Sequence, residues 1–537
     1  MISKINSQEE ARQKIVNGVA KLADAVTVSL GPNGRNVIID KGMEGIVSTK
    51  DGVTIAKSIT KLEDPVENMG AQLIRQAAEK SATVAGDGTT TSTLLAATLV
   101  NQGVKHVNNG ENAVEIKRGI DTAVKTVVDE LKNMSIDITS QEQLKQVATI
   151  SANNDDEVGT LIATSMEKVG REGVVTVEES KTGETSLEVV EGMQFDRGFK
   201  SPYFVTDNDS MSTTLEKPYI LIYNGKLTQV KEMLPLLERV SQTGKPFLIV
   251  AEEVEGEALA TLIVNKMRGT LNVCAVKAPE FGDRRTQILE DLAVLTNGTV
   301  VSTDKGMKLD KFDMSWLGEC RVVTVDKNNT TIVDGNGDED VIATRIEELK
   351  AQIDNSKSPY EMEKLQERLA KMVGGVAIIN VGANTELELK EKKDRVDDAL
   401  HATQAAIEEG ILPGGGVALI RAKKAIKGDD LGAKIVLSSL SMPMNKILTN
   451  AGFEMPYSIT TSVESSENDW KGYDIKSNKM TDFLEAGIVD PTKVVRSALE
   501  NAASVAGTIL LTDACVYSEK EEGEADEPGF GGMGGMM

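Results

Sequence analysis

One six-residue string, Gly86-Asp87-Gly88-Thr89-Thr90-Thr91, restricts this chain more than any other. It runs directly into 92–100, Ser-Thr-Leu-Leu-Ala-Ala-Thr-Leu-Val, which reads as a helix. Glycine allows a tight turn and lets a ligand approach the backbone closely. A helix start presents unpaired N–H groups at its positive dipole end, which suits an anion. Threonine hydroxyls add donors for phosphate oxygens, and a carboxylate such as Asp87 suits a hard cation bridging them. Two readings follow from the string alone. It is a cradle for nucleotide phosphates, or it is a helix start capped by Asp87 or Thr89 with no ligand.

At 537 residues the chain is too long for a single core, and its length suggests roughly three or four domains. A formal charge of −24 argues against nucleic acid or an anionic membrane as the main partner. Aromatic residues are only 3% of the chain, so any broad apolar binding surface must use Leu, Ile, Val and Met. Cys274, Cys320 and Cys515 are odd in number and form no CxxC, which fits reduced, buried thiols. With only His106 and His401, neither HExxH nor a histidine-rich zinc site can be built. The first ten residues are polar and of mixed charge, unlike a targeting peptide, and no apolar run reaches membrane-spanning length. The expected location is cytoplasmic.

Apolar positions Ile15, Val19, Leu22, Ala23, Val26 and Leu30 predict an amphipathic helix over 9–30, stopped by Gly31-Pro32-Asn33-Gly34. Short strands at 37–39 and 46–48 predict a hairpin, and 65–131 reads as helices broken at the opening string and at Asn108-Asn109-Gly110. Helices then give way to strands at 174–177 and 186–190. Between 191 and 375, strand-like runs (219–222, 247–250, 271–276, 298–302) alternate with helices (229–241, 255–268, 284–296), the pattern of an α/β domain. The charged stretch 339–373 reads as solvated helix. Another strand follows Gly374-Gly375, then helices to about 516. The tail 519–537 is expected to be disordered. Its literal GxGxxG at Gly529, Gly531 and Gly534 has neither preceding strand nor following helix, and no GxxxxGK[ST] occurs.

Asp51, Asp87, Asp398 and Asp490 stand in short apolar or glycine-bearing contexts, unlike the Glu/Lys faces elsewhere. One carboxylate to hold Mg²⁺, and one or two to orient or deprotonate water, is what phosphoanhydride hydrolysis requires. Each alone also fits a turn residue. Taken in order, the strings LGPNGRN, KDGVT, ENMGAQL, AGDGTTT, KRGID, TISAN, VEGMQFDRG, SPYF, EGEALATLIVN, FGDRR, KLQERLAK, DALHAT, PGGGVAL, DPTKV, RSAL and GGMGGMM run from near the start to the last residue. The set resembles that of a GroEL-type group I chaperonin.

The resemblance implies a multidomain fold in three parts. A mainly α-helical equatorial ATPase domain comprises 1–134 and 405–537, and a small α/β intermediate domain comprises 135–190 and 376–404. An inserted α/β apical domain comprises 191–375. It also implies a homo-oligomeric heptameric ring, possibly two stacked rings, that captures unfolded polypeptides and promotes folding with ATP, Mg²⁺, K⁺ and a GroES-type lid. A ring-forming holdase with weak ATPase and no lid is the alternative.

Carried over by residue, Ser29, Leu30, Gly31 and Pro32 would line the nucleotide, Asp87 would bind Mg²⁺, and Gly88, Thr89, Thr90 and Thr91 would hold phosphates. Lys50 and Thr90 would lie at the K⁺ and phosphate region. Asp398 would activate water, assisted by Asp51, and Gly415 and Asp490 would contact adenosine. Asp474, Ile475 and Lys476 occupy the adenine segment, where the family usually has an Asn-Ala-Ala-like run. Asn445 stands where an arginine commonly helps join two rings, which makes one ring the safer expectation. Gly192, Gly375 and Gly410 match hinges. Phe199, Tyr203, Phe204, Leu234, Leu237, Leu259, Ile263 and Val264 would form an exposed apolar rim for substrate and lid. By periodicity alone such a stripe is domain core.

Overall fold

The computed structural model describes residues 2–519, apart from 43–44, 153–154, 171–173, 181–182, 191, 209, 357 and 384. The expected disordered tail, with its GxGxxG, lies outside the described residues beyond Glu519. The chain forms two compact units, one from 1–163 with 383–537 and one from 164–382. The expected intermediate segments are divided between them: the helices around 141–151 and 386–409 belong to the first, and the strands near 174–190 and 376–381 to the second.

The first unit is built on helices Gln8–Thr27, Pro65–Ala85, Thr89–Asn108, Ala113–Met134 and Thr492–Leu510. The last of these packs against Thr89–Asn108 and Pro65–Ala85, bringing the two ends of the chain into one core. Local chemistry sets the helix starts. Asp64 accepts from the amides of Val66 and Glu67 ahead of Pro65 at the first turn, and Asn112 does the same for Val114 and Glu115. Gly18 and Gly70 let the first two of these helices meet backbone to backbone. A Cβ on Gly18 would fall 1.8 Å from the Glu67 carbonyl oxygen, and one on Gly70 would fall 2.2 Å from that of Ile15.

In the second unit, parallel strands Tyr219–Leu227, Phe247–Val254 and Val273–Lys277 alternate with helices Leu234–Thr243, Gly256–Met267 and Gly282–Thr296, as the sequence pattern predicts. Antiparallel strands Gly318–Val325, Thr330–Gly335 and Gly192–Phe195 extend the sheet. The predicted helix over 229–241 begins later, because Val230–Glu232 forms a 3₁₀ turn ahead of it. A separate sheet sets Val376–Val381 between Val174–Glu179 (parallel) and Ser186–Val190 (antiparallel).

The charged stretch 339–373 is not wholly a solvated face. It forms helices Glu339–Asn355 and Pro359–Gly374, and from them Arg345 and Arg368 reach the fully buried Asp291, with Arg368 Nε 2.8 Å from its Oδ2. A buried carboxylate demands such partners, so two of the charges face inward.

Candidate functional site

Within the first unit lies a cavity of about 450 Å³. Its walls come from segments far apart in the chain, and their charged residues are aspartates, Glu391, Lys50, Arg395 and Lys476. The opening string forms one side. Gly86 ends the helix Pro65–Ala85 in the left-handed region (φ 72°), and Gly88 (φ 80°) starts Thr89–Asn108. No side chain caps that second helix, so the capped-helix reading of Asp87 or Thr89 does not hold. Its first amides are left for another acceptor. Close packing supports the turn: a Cβ on Gly86 would fall 2.2 Å from the Cβ of His401, and one on Gly88 would fall 2.8 Å from Val494 Cγ1.

Lys50 and Asp51 also line the cavity. Asp51 caps the helix Gly52–Ser58, accepting from Val53 N at 3.1 Å and Thr54 N at 2.8 Å. Gly52 brings this backbone against the opening string, since a Cβ there would lie 2.4 Å from Thr90 Oγ1 and 2.6 Å from Thr89 Oγ1. The turn Ser29, Leu30, Gly31 and Pro32 supplies another wall, with the Ser29 hydroxyl donating to the Val26 carbonyl at 2.9 Å.

Asp398 enters from the helix Glu386–Glu409. Burial pushes its carboxyl well above the usual carboxylate range, and Asp51, Asp87, Asp394 and Asp397 add to the rise. Asp87 is raised by burial and by Asp51, against the hydrogen bond it accepts from Gly88 N. Asp490, on the strand Val489–Pro491, is pushed up to about 7 by burial and by Asp87, opposed by the amide of Gly415. Thus Asp51 and Asp87 from one end of the chain, and Asp398 and Asp490 from the other, share one electrostatic environment that calls for positive charge. Among the described residues no group of three or more His, Cys, Asp or Glu side chains is arranged to hold a metal ion. Mg²⁺ typically uses one or two carboxylates together with substrate phosphates, and this donor set fits that mode.

Gly415, Asp474, Ile475 and Lys476 line the cavity as well. Asp474 turns its carboxylate onto its own backbone, accepting from Lys476 N at 2.9 Å and Ser477 N at 3.2 Å. The apolar wall was missed in the sequence: Met444 and Ile447 share the helix Met442–Asn450, whereas Tyr473, Phe483 and Ile488 come singly from later segments. Tyr473 meets Phe453 edge-on, ring centroids 5.6 Å apart. Glu391, Asp394 and Arg395 were missed too, although with Asp398 they recur at the spacing of one helix face.

Asn445 is buried, and its Oδ1 accepts from the Thr460 hydroxyl at 2.7 Å. The side chain packs inside its own unit, against the helix Pro456–Glu464. In the second unit, Tyr203 is 63% exposed, and Leu234 and Val264 are each 43% exposed. Phe199, Leu259 and Ile263 are half-buried against the core. Phe204 and Leu237 depart from the expected rim, because both are buried within that core.

The family model described as TCP-1/cpn60 chaperonin family matches residues 22–520. The chain belongs to this chaperonin family. It is a chaperone of the 60 kDa chaperonin type, and members of the family are generally nucleotide-dependent ATPases that form oligomeric rings. Among the described residues, no helix of this chaperonin is long and apolar enough to cross a membrane.

Proposed function

We propose that this chaperonin hydrolyses ATP in the cavity of the first unit and uses the reaction to drive capture and folding of non-native polypeptides. The observation that carries the reading is the convergence of the uncapped Thr89–Asn108 helix start with Asp51, Asp87, Asp398 and Asp490 on a single cavity. In it, the amides of that helix start and the hydroxyls of Thr89, Thr90 and Thr91 bind the phosphates. Asp87 would hold Mg²⁺, which would neutralise charge on the phosphates, and Lys50 and Thr90 would border a K⁺. Asp398 orients the attacking water and accepts its proton, and Asp51 holds the Gly52–Ser58 helix against the phosphate side. Ser29, Leu30, Gly31 and Pro32 close over the nucleotide, while Gly415, Asp490 and the turn Asp474, Ile475 and Lys476 border the nucleoside.

In the same reading 1–134 with 405–537 is an equatorial domain, 135–190 with 376–404 an intermediate one, and 191–375 an apical one. Gly375 (φ 62°, ψ −159°) and Gly410 (φ 78°, ψ −169°) hold backbone conformations nearly restricted to glycine, which suits them as pivots. Gly192, the first residue of the strand Gly192–Phe195, is the third. Tyr203, Leu234 and Val264, with Phe199, Leu259 and Ile263 behind them, take unfolded chains and then a GroES-type lid. Seven copies close a ring in the cytoplasm.

Asp398→Ala tests the chemistry. It should bind ATP with near-normal affinity and hydrolyse it at least about a hundredfold more slowly, because a positioned base contributes that much. Undiminished turnover would remove Asp398 from the mechanism.

A further inference from the structure

The loop bearing Ser29, Leu30, Gly31 and Pro32 leaves the helix Gln8–Thr27 and is held by one side chain from the other end of the sequence. Asn450 ends the helix Met442–Asn450, and its Nδ2 donates to the carbonyls of Leu30 at 2.9 Å and Thr27 at 3.0 Å, with that of Val28 at 3.5 Å. Thr27 and Val28 also accept from the amides of Leu30 at 3.3 Å and Arg35 at 2.9 Å, so Asn450 ties together carbonyls of the turn that ends the helix. One turn earlier, Ile447 lies against Gly31, where a Cβ would fall 2.9 Å from Ile447 Cγ2. Gly31 itself has φ 86°, so the loop cannot relax away through an ordinary side-chain-bearing conformation.

Met444 and Ile447 of the same helix line the cavity, whereas Asn450 does not. The amide therefore fixes the separation of two walls between which a ligand must fit, without touching that ligand. We infer that Asn450 is a positioning residue that sets nucleotide affinity by holding the 29–32 loop in its binding conformation. The inference rests on the ATP reading of the cavity. A preorganised loop loses less freedom when the ligand binds, so the clamp acts on binding rather than on the hydrolytic step.

The test uses the full chain. Asn450→Asp keeps the shape but sets an acceptor against three carbonyls, and Asn450→Ser replaces the amide by a shorter hydroxyl that cannot span them, without adding charge. Each should raise the KM for ATP about tenfold while kcat stays within about twofold. Asn450→Gln, which keeps a donor, should recover part of the affinity. Asn445→Ala is the control: it lies on the same helix and bonds away from the loop to Thr460, so it should lower Tm with KM unchanged. If Asn450→Asp does not fold, Asn450→Ser decides the matter. An unchanged KM in the folded Asn450 variants would overturn the clamp, as would an equal rise in Asn445→Ala. Wild-type protein that neither binds nor hydrolyses ATP would instead overturn the reading of the cavity.

Discussion

Asp397 precedes Asp398 on the helix Glu386–Glu409, and burial pushes its carboxyl up to about 7, with Asp394 adding to the rise and Lys393 opposing it. A carboxyl raised in the folded state binds more protons there than in the unfolded chain between about pH 4 and 7. Stability is therefore lost as pH rises through that window, and the full penalty stands above it. The penalty at pH 8 is at most ~4 kcal/mol. Asp397→Asn should thus melt at a higher temperature than wild type at pH 8 and at the same temperature near pH 4. Calorimetry at both values checks this, and a difference independent of pH would assign the gain to packing instead. At this scale the sequence showed the aspartates because Asp51, Asp87 and Asp490 sit beside glycine or proline in apolar settings. It did not show Asn450 or Tyr473, whose roles depend on partners about 420 residues and 20 residues away respectively. Nothing in the local pattern distinguishes such side chains from ordinary helix and strand residues.

Between elements, Arg421 does for the turn at 466–471 what Asn450 does for the 29–32 loop. It lies on the helix Val417–Ala422, almost fully buried, and donates to the carbonyls of Ser466 at 2.8 Å and of Asn468 and Lys471 at 2.9 Å. Those carbonyls belong to the turn that leads into the strand Lys471–Asp474, and so to the cavity lining at Tyr473 and Asp474. Burial lowers the pKa of Arg421 from its usual value, with Asp469 and Glu464 opposing. The guanidinium fork matches several acceptors at once. Arg421→Met should cost about 3–5 kcal/mol, because it strands the carbonyls in the interior. Arg421→Lys should recover only part of that. Urea unfolding followed by Trp470 fluorescence, in a Trp316→Phe background, measures both, and a loss below about 1 kcal/mol in the Met variant would dismiss the clamp. Helices and strands were legible from periodicity, including the alternation over 219–301. The inward turn of Arg421, Arg345 and Arg368 was not, since a charged residue on a helix normally marks its solvent face.

For the whole molecule, two of the four two-stranded ribbons among the described residues leave large apolar side chains exposed. Ile2–Ser7 pairs only with Ala514–Glu519, leaving Ile5 68% exposed, and Val37–Asp40 pairs only with Ile46–Thr49, leaving Ile38 73% exposed. An isolated two-stranded ribbon is marginal in water, and its free edges invite another strand. The ring reading supplies that strand from a second copy, the hairpin of one subunit extending the terminal ribbon of its neighbour. The family strings pair the two chain ends in one domain; hydrophobic periodicity does not, because it carries no information across such a separation. Ile38→Asp places a charge on the exposed hairpin face while leaving the helical core and cavity untouched. Seven copies of the 57.6 kDa chain make about 403 kDa, so mass photometry should find wild type at that value or at twice it. The Ile38→Asp protein should fall to the single-chain mass with its own melting transition intact. Persistence of the large particle would show that subunits are joined elsewhere, and the ribbons would then have to be completed within one chain.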